Sequence, residues 1–149
     1  MIGISALAWL SDLTAPAGAP LLIPSLAATA VLLFISPRQT SARSWNAIGG
    51  QTLSAVAGFA CYITLGEHYQ WLAIGFAAGL ALAVMRAARC LHAPGAATAV
   101  IMVVSPDPLI WEHIFFPVAA GTILIVGWAW VVHYIEDSFL TPSTSSDES

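Results

Sequence analysis

Three stretches of this chain are long and apolar enough to cross a lipid bilayer, and they dictate what it can fold into. Residues 46–66 carry no charge. Residues 71–91 are apolar as far as Met85 and then meet two arginines, and residues 114–135 contain only His133 near their end. A hydrocarbon core of about 30 Å needs about 20 helical residues, and within it each backbone amide must find its partner inside the protein. Helices do this segment by segment. The expected fold is therefore all-α, a polytopic transmembrane helix bundle. Composition points the same way, since charged residues are 8% of the 149 and no lysine is present.

The formal net charge of −4 belongs to one end. Glu136, Asp137, Asp147 and Glu148 lie in the last fourteen residues, and elsewhere Arg38, Arg43, Arg86 and Arg89 balance Asp12, Glu67, Asp107 and Glu112. Residues 136–149 are expected to be an acidic, disordered cytoplasmic tail, and nothing suggests nucleic-acid binding. The first apolar stretch, residues 2–10, has no basic residue before it and is a poor match to a cleaved signal peptide. Cys90 and His92 form a C-x-H pair, but two ligands make no metal site. No serine, histidine and carboxylate fall together as a nucleophilic triad, and no carboxylate pair lies inside a span. Neither an enzyme nor a metal or cofactor site is expected. Among polar residues near segment ends, Glu67, His68, Asp107, Glu112 and His113 suit solvated loops.

A second feature is internal. Residues 24–37 line up with residues 93–106 at an offset of 69, sharing Ala-Ala-Thr-Ala-Val and a closing Ser-Pro. Residues 95–105 make only about 16 Å of helix, too little to cross. Residues 25–36 follow Pro16, Gly18, Pro20 and Pro24, which interrupt any longer helix. Each copy is therefore expected as a short helix after a break, followed by a full span. The duplicated unit is helix, break, short helix, helix, over about residues 2–66 and 71–135. Arg38 and Arg43 share a side with Arg86 and Arg89 if residues 46–66 cross and residues 71–91 return. That side should be cytoplasmic. The copies then run in opposite senses, or in the same sense if the short helices are re-entrant.

Small residues at four-residue spacing, Gly75, Gly79 and Ala83, and Gly50, Ser54 and Gly58, should let helices approach closely, within the chain in preference to a dimer seam. Trp45, Trp71, Trp111 and Tyr69 fall near segment ends, where the headgroup zone favours aromatic rings. Trp128 and Trp130 suit ordinary core filling better.

The candidate binding residues gather around the second break. Arg86 and Arg89 share a helix face, His92 precedes the break made by Pro94 and Gly95, and the first turn of the short helix beyond it, with Thr98, offers free N–H groups. Two guanidiniums, an imidazole and a helix start all attract negative charge. Thr29 is the matching residue of the first copy, and Gln51, beside Gly49 and Gly50, is deep enough to join them. The competing readings are plain ones. Both arginines would be topology signals whose heads reach the headgroups, His92 would cap a helix, and the threonines would bond back to their own carbonyls.

With residues 92–99 following a helix that ends in Arg-x-x-Arg-Cys-Leu, the chain resembles the HPP family of small integral membrane proteins, named for a His-Pro-Pro motif. Residues 27–34, 46–51 and 117–121 add to the likeness, which covers about residues 20–135. The middle proline is Ala93 here, and Gln51 stands where many relatives are expected to have histidine. The resemblance implies four transmembrane helices and, from plant and cyanobacterial members linked to nitrite, movement of a small anion. We accordingly expect a multi-pass protein of a bacterial inner membrane, surrounded by lipid and assembled as a homo-oligomer. It would pass a small inorganic anion by a passive or proton-coupled route, with His92 taking the proton. A non-transporting membrane scaffold or accessory subunit is the alternative.

Overall fold

A computed structural model describes residues 23–66, 68–105 and 111–140, and the regular elements among them are all helical. The first apolar segment, with Asp12, lies outside the described residues, as do Glu67, Asp107 and residues 141–149. Helix α1 is Ile23–Ile35, and a single tight turn at Thr40–Ala42 leads from it to α2, Ser44–Cys61. A wide helical turn, Tyr62–Gly66, extends α2 before α3, Gln70–Ala87. The short α4 is Ala93–Val104, and a second wide turn, Ile114–Ala119, opens into α5, Ala120–Leu140. Among the described residues, three units are long and apolar enough to cross: Ser44–Gly66, Gln70–Ala87 and Ile114–Ser138. The first five residues of the stretch expected as a tail are thus part of α5.

Contacts fix the directions. Gly49 lies beside Cys90, so α3 returns to the end where α2 began, and the four arginines share one end of the bundle. Gly50 meets Gly95 and Gly58 meets Ala99, so α4 runs alongside α2 in the same sense. On α5, His133 Nε2–H donates to the Leu33 carbonyl (3.0 Å) and Trp130 Nε1–H to Ser44 Oγ (3.1 Å), which brings α5 back to the arginine end beside α1. Thr29 reaches His92 while Ser25 reaches Thr98, so α1 and α4 are antiparallel. The two similar segments therefore run in opposite senses, with their starts side by side inside the bundle.

Small side chains make this packing possible. A Cβ on Gly58 would stand 2.4 Å from the Ala99 carbonyl oxygen, and one on Gly50 2.5 Å from His92 Cβ, so neither backbone approach admits a larger residue. On α3 the inward stripe is Ala73, Ala77, Ala81 and Met85, none of them exposed, packed with Ala57, Cys61, Ala99 and Val103. The glycine stripe expected to pack internally faces away from the described helices, because a Cβ on Gly75 or Gly79 would meet none of the described residues within 4 Å. A second core joins α1 to α5 through Leu26, Ala30, Leu33, Ile125, Val126 and Ala129. Trp128 and Trp130 are exposed and do not fill the core, whereas Trp45, Trp71, Trp111 and Tyr69 are exposed near helix ends, where rings favour the interface.

Helix α3 ends at Ala87, four residues before the end of its apolar stretch. Arg89 takes a left-handed conformation (φ 53°), Cys90 N–H donates to Met85 O (2.9 Å) and Arg89 N–H to Arg86 O (3.2 Å). These are the paired closing bonds of a Schellman terminus, with buried Cys90 and Met85 making its apolar contact. The stop turns the chain inward and puts His92 against α2.

Candidate functional site

Where α1 and α4 overlap, five polar side chains meet out of reach of solvent. Ser25 and Thr29 come from α1, Gln51 from α2, Thr98 from α4, and His92 from the residue before α4; none is more than 2% exposed. Gln51 lies seven residues into α2, about 10 Å along its axis. Burying polar groups this deep is unfavourable unless they bond one another, and they do. Ser25 Oγ and Thr98 Oγ1 are 2.6 Å apart, Ser25 Oγ is 2.8 Å from the Pro94 carbonyl, and Gln51 Nε2–H donates to Thr29 Oγ1 (2.7 Å) and to Ser25 Oγ (3.0 Å). Thr98 Oγ1–H donates to Gln51 Oε1. Gly95 permits the closeness, since a Cβ there would sit 2.8 Å from Ser54 Oγ and 2.9 Å from the Gly50 carbonyl.

Counting protons shows what this circuit can do. His92 Nδ1–H donates to the Ser41 carbonyl (2.8 Å), because a carbonyl only accepts. In the neutral ring Nε2 is then an acceptor and takes the Thr29 hydroxyl proton across 2.9 Å. Gln51 donates to Thr29, Thr98 donates to Gln51, and Ser25 donates to Thr98, so this chain of bonds points toward His92, while the second Gln51 N–H returns to Ser25 Oγ. The single Ser25 proton is then shared between Thr98 Oγ1 and the Pro94 carbonyl, which can only accept. In the cationic ring Nε2–H donates to Thr29 instead. A turn of the Gln51 amide then lets the chain reverse, from Thr29 to Gln51, Gln51 to Thr98 and Thr98 to Ser25, and leaves the Ser25 proton wholly to the Pro94 carbonyl. The two directions differ by one proton on His92 and one amide rotation.

The predicted residues are distributed unevenly around this circuit. Thr29, Gln51, His92 and Thr98 form it, Pro94 supplies an acceptor carbonyl and Gly95 the close approach. Arg86 and Arg89 do not join it. Both are exposed, and neither bonds to it. The helix holding Arg86 ends at Ala87, so the pair sits at the rim of the arginine end, where the plain topology reading had put them. His92 occupies the position before α4 without capping it, its ring turned to Ser41 and Thr29. The Ser25 carbonyl, 3.1 Å from Thr29 Oγ1, is a second acceptor that shares the one Thr29 hydroxyl proton with His92 Nε2 in the neutral ring. Asn46 does not cap α2 either. Its amide donates to the Thr40 (2.8 Å) and Leu91 (3.2 Å) carbonyls and ties the turn before α2 to the break before α4.

Three groups were not anticipated. Ser25 joins both short helices, and among the described residues Ser54 Oγ, buried beside Gly95, has no hydrogen-bond partner and neither ring nitrogen of buried His113 is bonded. His113 had the look of a solvated loop residue, but the chain turns inward there. Ile114 beside it packs with Ala55, Met102 and Val118. Ser25 had a signal in its sequence, because it stands at the position equivalent to Pro94 and opens the first copy.

Comparison with known proteins agrees with this architecture. The model of the HPP transmembrane region matches residues 1–140. Two Dictyostelium discoideum proteins named as transmembrane proteins are similar, one 33% identical over 117 residues and the other 34% over 118, each match covering 75% of this chain. The matches take in 37% and 41% of those proteins, so this chain corresponds to about two-fifths of their length. No solved structure matches it. The broken helix at His92-Ala93-Pro94-Gly95, its antiparallel counterpart at Pro24-Ser25, and a match over nearly the whole chain place this protein in the HPP transmembrane family.

Proposed function

We propose that this membrane protein passes a small monovalent anion, nitrite first, together with a proton. The observation that carries the reading is the closed circuit around His92. It is an ionisable ring with no exposure, wired to hydroxyl and amide donors that reverse when it takes a proton. A cationic His92 places one positive charge beside Ser25, Thr29, Thr98 and the unpaired Ser54 hydroxyl, all able to donate to a small oxyanion. Proton and anion bound together are neutral, which lowers the cost of holding charge in a low dielectric. Arg86 and Arg89 at the rim raise the local anion concentration before entry. The arginine-bearing end fits the cytoplasmic face of a bacterial inner membrane, and the short chain fits a homo-oligomer.

Flux of nitrite, nitrate, formate and chloride into liposomes holding the purified protein, at two pH values, tests this. Nitrite flux should rise as pH falls, and His92→Gln, which keeps hydrogen bonding without titration, should cut it at least tenfold and flatten its pH dependence. Folded protein that passes none of the four sinks the proposal. The scaffold reading has one observation in its favour, the outward Gly75 and Gly79 stripe. It expects His92→Ala and Arg86→Ala to leave assembly and cellular function intact.

A further inference from the structure

At the arginine end, the seam between α1 and α5 opens into a groove of about 370 Å³. Its floor is apolar, with Leu33, Ala42 and Ala129, and its rim carries Arg43, Ser44 and Trp130. A second hollow of about 440 Å³ adjoins it at Pro37 and is lined by Arg38 and Gln39. Neither guanidinium has a hydrogen-bond or ion-pair partner among the described residues. The carboxylates nearby, Glu136 and Asp137, both act on His133, with Glu136 Oε2 3.3 Å from its Nδ1. Trp130 donates to Ser44 Oγ, which leaves the serine proton free for another acceptor.

We propose that this groove holds the phosphodiester of an anionic phospholipid, with Arg43 and Arg38 on the phosphate oxygens and Ser44 donating a hydrogen bond. Three features select a lipid over a free anion. The same two helices carry Val31, Ile35, Val131 and Ile135, exposed apolar side chains that an acyl chain can follow, and Ile35 lines the adjoining hollow. It lies at the end that carries all four arginines, where basic pockets between membrane helices meet headgroups. Trp130, 70% exposed yet hydrogen-bonded through its indole nitrogen, has the half-apolar, half-polar setting of an interfacial ring. The bound lipid would fasten the end of α1 to α5 and leave the His92 circuit untouched.

Native mass spectrometry of the whole purified chain tests the idea, with phosphatidylglycerol and phosphatidylcholine offered in equal amounts. Phosphatidylglycerol should be retained preferentially. Arg38→Gln with Arg43→Gln should weaken its retention roughly 30-fold, as two interfacial arginines imply. The control, Arg86→Gln with Arg89→Gln, removes the same charge from the same end outside the groove and should retain the lipid. Circular dichroism of both double variants should match the parent. Equal retention of the two lipids overturns the proposal, as does an equal loss in both double variants. Displacement by millimolar inorganic phosphate as effective as displacement by the lipid also overturns it, as does retention that follows dimer formation by a second copy of the chain.

Discussion

His92 has to be an Nδ1–H tautomer when neutral, because the Ser41 carbonyl can only accept. Nitrogen-15 spectra of ring-labelled protein should show Nδ1 protonated and Nε2 bare at high pH, with both protonated on acidification. A neutral Nε2–H ring would sink the reversible circuit. Much of this site was legible in the sequence. A histidine before a proline–glycine break, threonines at matching positions of two copies, and an amide beside paired glycines are all rare inside apolar segments. Ser25 was legible only through its match to Pro94, and Ser54 not at all, since a serine in an apolar helix more often bonds its own backbone. The arginines were misplaced for a different reason: hydropathy does not show where a helix stops, and the stop at Ala87 decides that Arg86 lies at the rim.

Helix pairs depend on which small residue faces which neighbour. Gly50→Ala and Gly58→Ala push a methyl group into His92 and into the Ala99 backbone, and backbone cannot give way as a flexible side chain can. Each should destabilise the protein by about 1–3 kcal/mol or more. Gly75→Ala and Gly79→Ala meet open space and should be neutral or stabilising by about 0.5–1 kcal/mol, unless a subunit contact uses that face. Thermal unfolding in detergent separates the two pairs, and equal losses in both would contradict the packing. The sequence pattern marked both stripes but not their phase, because glycine and alanine alternate along α3 and look equally apolar. Arg89 is the second element-scale case. It holds a left-handed conformation that favours glycine by about 1 kcal/mol, so Arg89→Gly should raise the unfolding temperature. If Arg89 also draws anions to the rim, the same variant should lower anion flux at low ionic strength and spare it in high salt.

Across the whole molecule, α1 and α4 run in opposite senses, as do α2 and α5, around one buried circuit, a relation that in inverted-repeat transporters lets a bundle offer one site to either face by rocking. The opposed directions follow from a few contacts between short helices, which hydropathy cannot supply, although the likeness of residues 24–37 to residues 93–106 is plain in the sequence. In the conformation described here the circuit is closed. Ser54 has no exposure, and Ala55, Met102, Ile114 and Val118 pack together on the side toward His113. The proposed passage of an anion therefore requires an opening, and the buried Ser54 hydroxyl is the place to detect it. With Cys61 and Cys90 replaced by alanine, Ser54→Cys gives a single small thiol beside Gly95. If the bundle rocks, a membrane-impermeant thiol reagent should label it slowly from each face in turn, and saturating nitrite should change the rate by occupying the circuit. Full protection from both faces, in protein that still passes nitrite, would mean that the anion travels elsewhere, along the outward face of α3 or between subunits.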